Sequence, residues 1–138
     1  MEVQVAVCGL ILRKGKVLIL RRAAADEFAE RGFWTLPGGR VEVSEPPDDA
    51  VVREVKEETG LHVEVLKPIN VWSGTRGDVW RIGIDYLCKA VGGAVKLSAE
   101  HDDYAWATLS DLGKMWVEDW VKETIFLAEQ ETARNSTA

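Results

Sequence analysis

Three glutamates, Glu54, Glu57 and Glu58, crowd into one short stretch, "AVVREVKEETGL", from Ala50 to Leu61. On a helix turning about 100° per residue they share an arc of roughly 100°, beside the apolar arc of Val51, Val52 and Val55. Such crowding opposes helix formation. Like charges three or four apart cost about 0.2–0.5 kcal/mol per pair, and acids in the last turn meet the negative end of the helix dipole at about 0.3–1 kcal/mol each. Two arrangements offset that cost. Arg53 and Lys56 can pair with the acids on a solvated charged face, or a hard divalent cation can sit among them, because carboxylate oxygens are the ligands that Mg²⁺ and Mn²⁺ prefer. The second arrangement is chemistry, since such a cation also grips substrate phosphates.

The elements that must hold this edge are legible on both sides. Pro46 and Pro47 are tolerated only in a first helical turn, Asp48 and Asp49 suit its positive end, and Gly60 suits the position past its last turn, which predicts a helix from about Pro47 to Thr59. Upstream, Val3–Leu12 reads as a strand covered on both faces, "RKGK" as a turn and Val17–Arg22 as a second strand. Ala23–Phe33 reads as a loop, and the proline and paired glycines of "WTLPGG" are expected to break any regular element. Downstream, strands are expected at Val63–Leu66 and Ile69–Trp72. In Val79–Lys89, Trp80, Ile82, Ile84, Tyr86 and Cys88 alternate with Arg81, Gly83 and Asp85, the period of a half-buried strand. Gly92-Gly93 marks a turn, "SDL" at Ser110–Leu112 a short helix, and Trp116, Val117, Trp120, Val121, Ile125 and Ala128 the apolar stripe of a C-terminal helix whose tail, about 130–138, is expected to fray.

At 138 residues, with 46% hydrophobic and 29% charged, the chain is expected to form one domain over 1–138. A net charge of −6 argues against holding duplex nucleic acid or an anionic membrane. The opening "MEVQVAVCGLIL" has no basic leader and its apolar run stops at Arg13, so neither a membrane span nor a signal peptide is expected. Cys8 and Cys88 lie in apolar runs without metal-ligand spacing, and the expectation is buried, reduced thiols in a cytoplasmic protein.

The flank of the acidic helix decides between the two arrangements. Gly39, five residues, Glu45, seven residues, Arg53-Glu54-Val55, one residue, Glu57-Glu58, one residue and Gly60-Leu61 match the Nudix box at every specified position, nine of the 23 residues it spans. "FWTLPGG" before it and "EHDDYAW" after it also look like the family's surroundings. The chain therefore resembles a Nudix hydrolase.

That resemblance implies an α/β fold, an α/β/α sandwich around a mixed β-sheet, with the box as its loop–helix–loop metal site. By similarity, Glu54, Glu57 and Glu58 hold Mg²⁺ or Mn²⁺ with the Gly39 carbonyl, while Arg53 and Glu45 orient the cluster. The reaction implied is attack of water on phosphorus in a nucleoside diphosphate linked to another group. Glu54 or Glu57 is a candidate base, and Glu100, with Asp102 and Asp103 behind it, is a candidate for that role or for an extra ligand. "EHDD" reads equally as a solvated acidic turn.

For the organic end of a small nucleotide substrate, Phe33, Trp34, Trp72, Trp80 and Tyr86 offer stacking faces, and Arg22, Arg76 and Arg81 offer phosphate contacts. The region about sixteen residues past the box, "TRGDVW", lacks the proline of many ADP-ribose hydrolases and the tyrosine of many dinucleoside polyphosphate hydrolases. The favoured expectation is a pyrophosphohydrolase of a nucleoside triphosphate or modified nucleotide. Its rivals are those two activities, a silent nucleotide-sensing domain and an RNA-end hydrolase. Many relatives pair, which makes a homodimer a further expectation.

Overall fold

A computed structural model describes the backbone of residues 1–25 and 30–137, and the side chains of these up to 134. The elements run β1 (Glu2–Arg13), β2 (Lys16–Arg22), β3 (Trp34–Thr35), β4 (Gly38–Arg40), α1 (Pro47–Thr59), β5 (His62–Arg76), β6 (Val79–Gly92), β7 (His101–Ala107), α2 (Leu109–Leu112) and α3 (Asp119–Thr137). The sheet is mixed, ordered β3-β2-β1-β6-β5, with β4 also on β1 and β7 also on β2. Among the strands described, β1 and β6 pair in parallel and the others are antiparallel.

Alternation along the strands sorts side chains into two cores. Val7, Ile11, Leu18, Leu20, Tyr86 and Cys88 face α1, where Val51 and Val55 complete the packing. Cys8, Leu10, Val17, Ile19 and Leu87 face the other way, against Val121, Ile125 and Ala128 of α3. The result is the expected α/β/α sandwich, and each fully buried aliphatic side chain contributes about 1.5–3 kcal/mol. Both cysteines are free and buried. Among the described residues no helix is long and apolar enough to cross a membrane.

Helix α1 begins at Pro47 and stops at Gly60, as its sequence predicts; Gly60 takes φ 77° and returns its N–H to the Lys56 carbonyl. A side chain there would be strained by that φ and would also crowd the Ala94 carbonyl at 2.8 Å. The β1–β2 turn places Lys14 at φ 51° and Gly15 at φ 76°, the left-handed pair that suits a tight hairpin.

Four expectations change. Glycines 38 and 39 do not interrupt regular structure: they form β4 against Val7 and Cys8 of β1, a close approach open to residues without Cβ. The two strands expected over 63–72 are one, β5, kept continuous by irregularities around Leu66 and Ile69 that absorb Pro68. "EHDD" is no free turn, because His101 opens β7, which pairs with β2. Trp116 and Val117 precede α3 rather than lying on it; Trp116 stacks on Phe33 and Val117 bridges to Trp34. Helix α3 is described through Thr137, and within it Glu131 pairs with Lys67 of β5 and Thr132 bonds back to the Ala128 carbonyl. The loop expected over Ala23–Phe33 lies partly, at 26–29, outside the described residues.

Candidate active site

The three glutamates of α1 occupy three different environments. Glu57 is the outermost, its side chain 58% exposed beside Arg53. Glu54 is mostly covered and lies directly over Gly39, where a Cβ would come within 2.5–2.6 Å of both carboxylate oxygens. Glu58 is buried: one oxygen accepts from the Gly38 N–H at 2.9 Å, and the other lies 3.3 Å from His101 Nδ1. Part of the repulsion is offset within the chain. Arg53 donates Nε and Nη2 to the two oxygens of Glu45 at 2.8 and 2.9 Å, Nη1 to Glu54 at 2.9 Å and to Glu57 at 3.3 Å, and Nη2 also to the Arg40 carbonyl at 3.0 Å. Hydrogen bonding to Arg53 holds the Glu45 carboxyl down at about 2 and, reciprocally, raises the guanidinium pKa.

Arg53 does not reach Glu58. Burial, reinforced by Glu100 and Glu54 and only partly opposed by the Gly38 N–H, pushes the Glu58 carboxyl up to about 8. Burial, helped by Arg22, pushes His101 down to about 4. His101 is 5% exposed and its Nδ1 makes no hydrogen bond, being near Glu58 without the angle of one. Glu58, Glu100 and His101 bring one ligand atom each within 4.8 Å of one another. A bare glycine cradle, an oxygen-rich donor set and an orphaned buried nitrogen fit a divalent cation.

These shifts have a checkable consequence in chelator-treated buffer. Glu58 has a folded value near 8 against an ordinary 4.5, so its contribution to stability is present at low pH and is lost as pH rises through 8. His101 acts in the opposite sense, its neutral form favouring the fold increasingly as pH rises from about 4 to 6.5. Above 6.5 only the Glu58 contribution of the two still changes, so the melting temperature of metal-free protein is expected to fall between pH 6.5 and 8, and to fall less in Glu58→Gln. Identical profiles for the two proteins would remove Glu58 as the cause.

A cleft of about 900 Å³ is lined by acids and aromatic rings together. Gly38, Gly39, Glu54, Glu58, Glu100 and His101 line it, as do Arg22, Arg81, Glu118, Phe33, Trp34, Trp72 and Trp120. Of the site residues expected from sequence, Gly39, Glu54, Glu58, Glu100, Arg22, Arg81 and Trp34 come together there. Arg53 and Glu57 stand outside the lining, on the outer side of α1. Trp80 does not join them. It points to the opposite sheet face from Arg81, beyond the cover of α1, and is 41% exposed. Tyr86 is packed in the core under α1. Asp102 and Asp103 also turn away from the cleft, Asp102 to Arg21 at 2.7 Å and Asp103 to the Tyr104 N–H. Sequence does not mark His101, Asp85, Glu118 and Trp120 as site residues. The ligating ability of His101 beside Glu100 is a usable signal, but nothing local announces its burial.

A mixed sheet lies between helices, with an acidic helix edge facing a glycine-backed cleft. The NUDIX domain family profile matches residues 2–127, and the chain belongs to that family. An ADP-ribose pyrophosphatase of Methanocaldococcus jannaschii is 36% identical over 115 residues, covering 80% of this chain and 65% of that protein. A protein of Klebsiella pneumoniae named nucleoside triphosphatase NudI is 32% identical over 124 residues, covering 81% and 86%. The crystal structure of a MutT protein from Methanosarcina mazei Go1 superposes with a TM-score of 0.81 at 30% identity, covering 95% of this chain and 96% of that one.

Proposed function

We propose that the chain is a Mg²⁺- or Mn²⁺-dependent pyrophosphohydrolase that cleaves a nucleoside diphosphate linked to another moiety, with a nucleoside triphosphate or modified nucleotide as substrate. The observation that carries this reading is one cleft lined by both the box carboxylates and indoles. A bound divalent cation would supply charge neutralisation on the diphosphate and would acidify water for attack. Glu54, Glu57, Glu58 and Glu100, with the Gly39 carbonyl, would hold it. Arg53 fixes the rotamers of Glu54 and Glu57. Glu54 or Glu100, both on the cleft wall, takes the proton of the attacking water. Arg22 and Arg81 meet the remaining phosphate charge.

The similarity to an ADP-ribose pyrophosphatase supports a second reading, in which the group beyond the diphosphate is a ribose. Incubation of the protein and Mg²⁺ or Mn²⁺ with nucleoside triphosphates, modified nucleotides, ADP-ribose and dinucleoside polyphosphates, with every product resolved by ion-exchange chromatography (pyrophosphate and a nucleoside monophosphate from a triphosphate, AMP and ribose 5-phosphate from ADP-ribose, two nucleotides from a dinucleoside polyphosphate), separates them. Pyrophosphate release from a triphosphate is the expected result. Exclusive turnover of ADP-ribose would replace the first reading by the second, and binding without turnover of any member would leave a sensor.

A further inference from the structure

We infer that Trp72 is the stacking platform for the nucleobase, and that Gly83 and Asp85 set its position. The inference rests on the nucleotide reading above. Trp72 of β5 lies opposite Gly83 of β6 in the strand register. A Cβ built on Gly83 would overlap the Trp72 indole, so the ring lies flat on bare backbone, which no other residue type at that position permits. Its Nε1 donates to Asp85 Oδ1 at 3.3 Å.

Asp85 is 1% exposed, and a carboxyl so placed is costly unless its oxygens are hydrogen-bonded. Here donors converge on it from three elements: Cys8 Sγ at 2.8 Å, Asn70 Nδ2 at 3.2 Å and Thr124 Oγ1 at 3.1 Å, besides the indole. The only one of these groups that borders the cleft with an extended apolar face is Trp72. The neighbouring aromatics are committed differently. Phe33 spends a face on Trp116 at 3.7 Å, and Trp120 bonds Glu118 and stands tilted by 42° at 6.5 Å from Trp72, so the two indoles do not cover each other. The Trp72 indole is therefore backed by strand backbone at Gly83, and Trp72 also lines the cavity. A ring already fixed loses little freedom when a base lands on it. Asp85 acts through the indole and is a positioning residue.

The test separates the base from the phosphates. Gly83→Ala displaces the indole without touching any group assigned to the cation, and Trp72→Ala removes it. Both are expected to raise KM for a nucleoside triphosphate by roughly 10-fold or more, the scale of a lost base–aromatic stack, with kcat within about threefold. Inhibition by inorganic tripolyphosphate, which has no base, is expected to stay at the wild-type value. Trp72→Phe, which keeps a face but loses the bond to Asp85, and Asp85→Asn are expected to fall between. Should Gly83→Ala not fold, Trp72→Ala and Trp72→Phe decide. A wild-type KM in Trp72→Ala, or an equal loss of tripolyphosphate binding, would overturn the inference while leaving the proposed activity intact. Failure of the wild-type protein to bind any nucleotide would overturn both.

Discussion

Glu58→Gln is expected to lower kcat/KM by about 10²-fold to 10³-fold, the scale on which a preorganised electrostatic group is lost, while leaving the fold intact. The substitution preserves shape and keeps an oxygen to accept the Gly38 N–H at 2.9 Å. Its amide can also donate to His101 Nδ1, which otherwise makes no hydrogen bond. What disappears is the negative charge that a divalent ion requires. Burial raises the carboxyl pKa because the folded protein without metal offers that charge poor compensation, with Glu54 and Glu100 both opposing it. The same variant is therefore expected to be more stable than wild type at pH 8 with chelator, and less able than wild type to gain stability when Mg²⁺ is added. Melting curves with and without Mg²⁺, run beside steady-state kinetics, check both effects. Glu57→Gln provides the contrast: its side chain is 58% exposed and touches Arg53, so its metal-free stability is expected to change little. Wild-type turnover by Glu58→Gln would remove Glu58 from the reaction.

The difference between these two glutamates was not legible in the sequence. Spacing on a helix places both on one arc, but which of them is sealed depends on β4 and on the residues opening β7, elements separated from α1 in the chain. Helix α1 itself was readable to the residue, because Pro47 and Gly60 act through local backbone geometry. The floor of the cleft was not. Alternation along β6 marked Arg81, Gly83 and Asp85 as the polar side of a half-buried strand, and that period is correct, yet this side faces α3 and the cavity, with Asp85 fully covered. Trp80, on the apolar side by the same count, lies past the end of α1 and remains 41% exposed. Periodicity reports which residues share a face; the length of the covering helix decides whether that face is buried. Pairing of Trp72 with Gly83 depends on the tight turn at Gly77 and Asp78, from which the β5–β6 register runs without a shift from Arg76 opposite Val79 to Asn70 opposite Asp85; once that turn is placed the partner follows, and the irregularities between Val65 and Asn70 lie beyond it.

Arg53 is where the stability of the acidic edge and its chemistry meet, and its replacement is expected to damage both. The guanidinium spans Glu45, Glu54, Glu57 and the Arg40 carbonyl at once, with Nε and Nη2 forming a fork on the two oxygens of Glu45. Arg53→Ala leaves those carboxylates facing one another and frees the segment from Arg40, at the end of β4, to Glu45. With the Arg53 side chain 27% exposed, solvent recovers part of the loss, and a destabilisation of about 2–3 kcal/mol is expected rather than the full cost of an orphaned buried charge. Lysine restores the charge but presents its donors from a single point, so Arg53→Lys is expected to recover much of the stability without restoring the orientation of Glu54. Activity should therefore remain down by roughly 10-fold to 100-fold in Arg53→Lys, as for the loss of a group that orients a metal ligand. If cations sit among these acids, added Mg²⁺ will shrink the stability deficit of Arg53→Ala relative to wild type, because the cation replaces part of the missing positive charge. Urea denaturation of both proteins with chelator and with Mg²⁺ measures this. A deficit unchanged by Mg²⁺ would mean that the arginine alone, without a metal, reconciles the glutamates of α1.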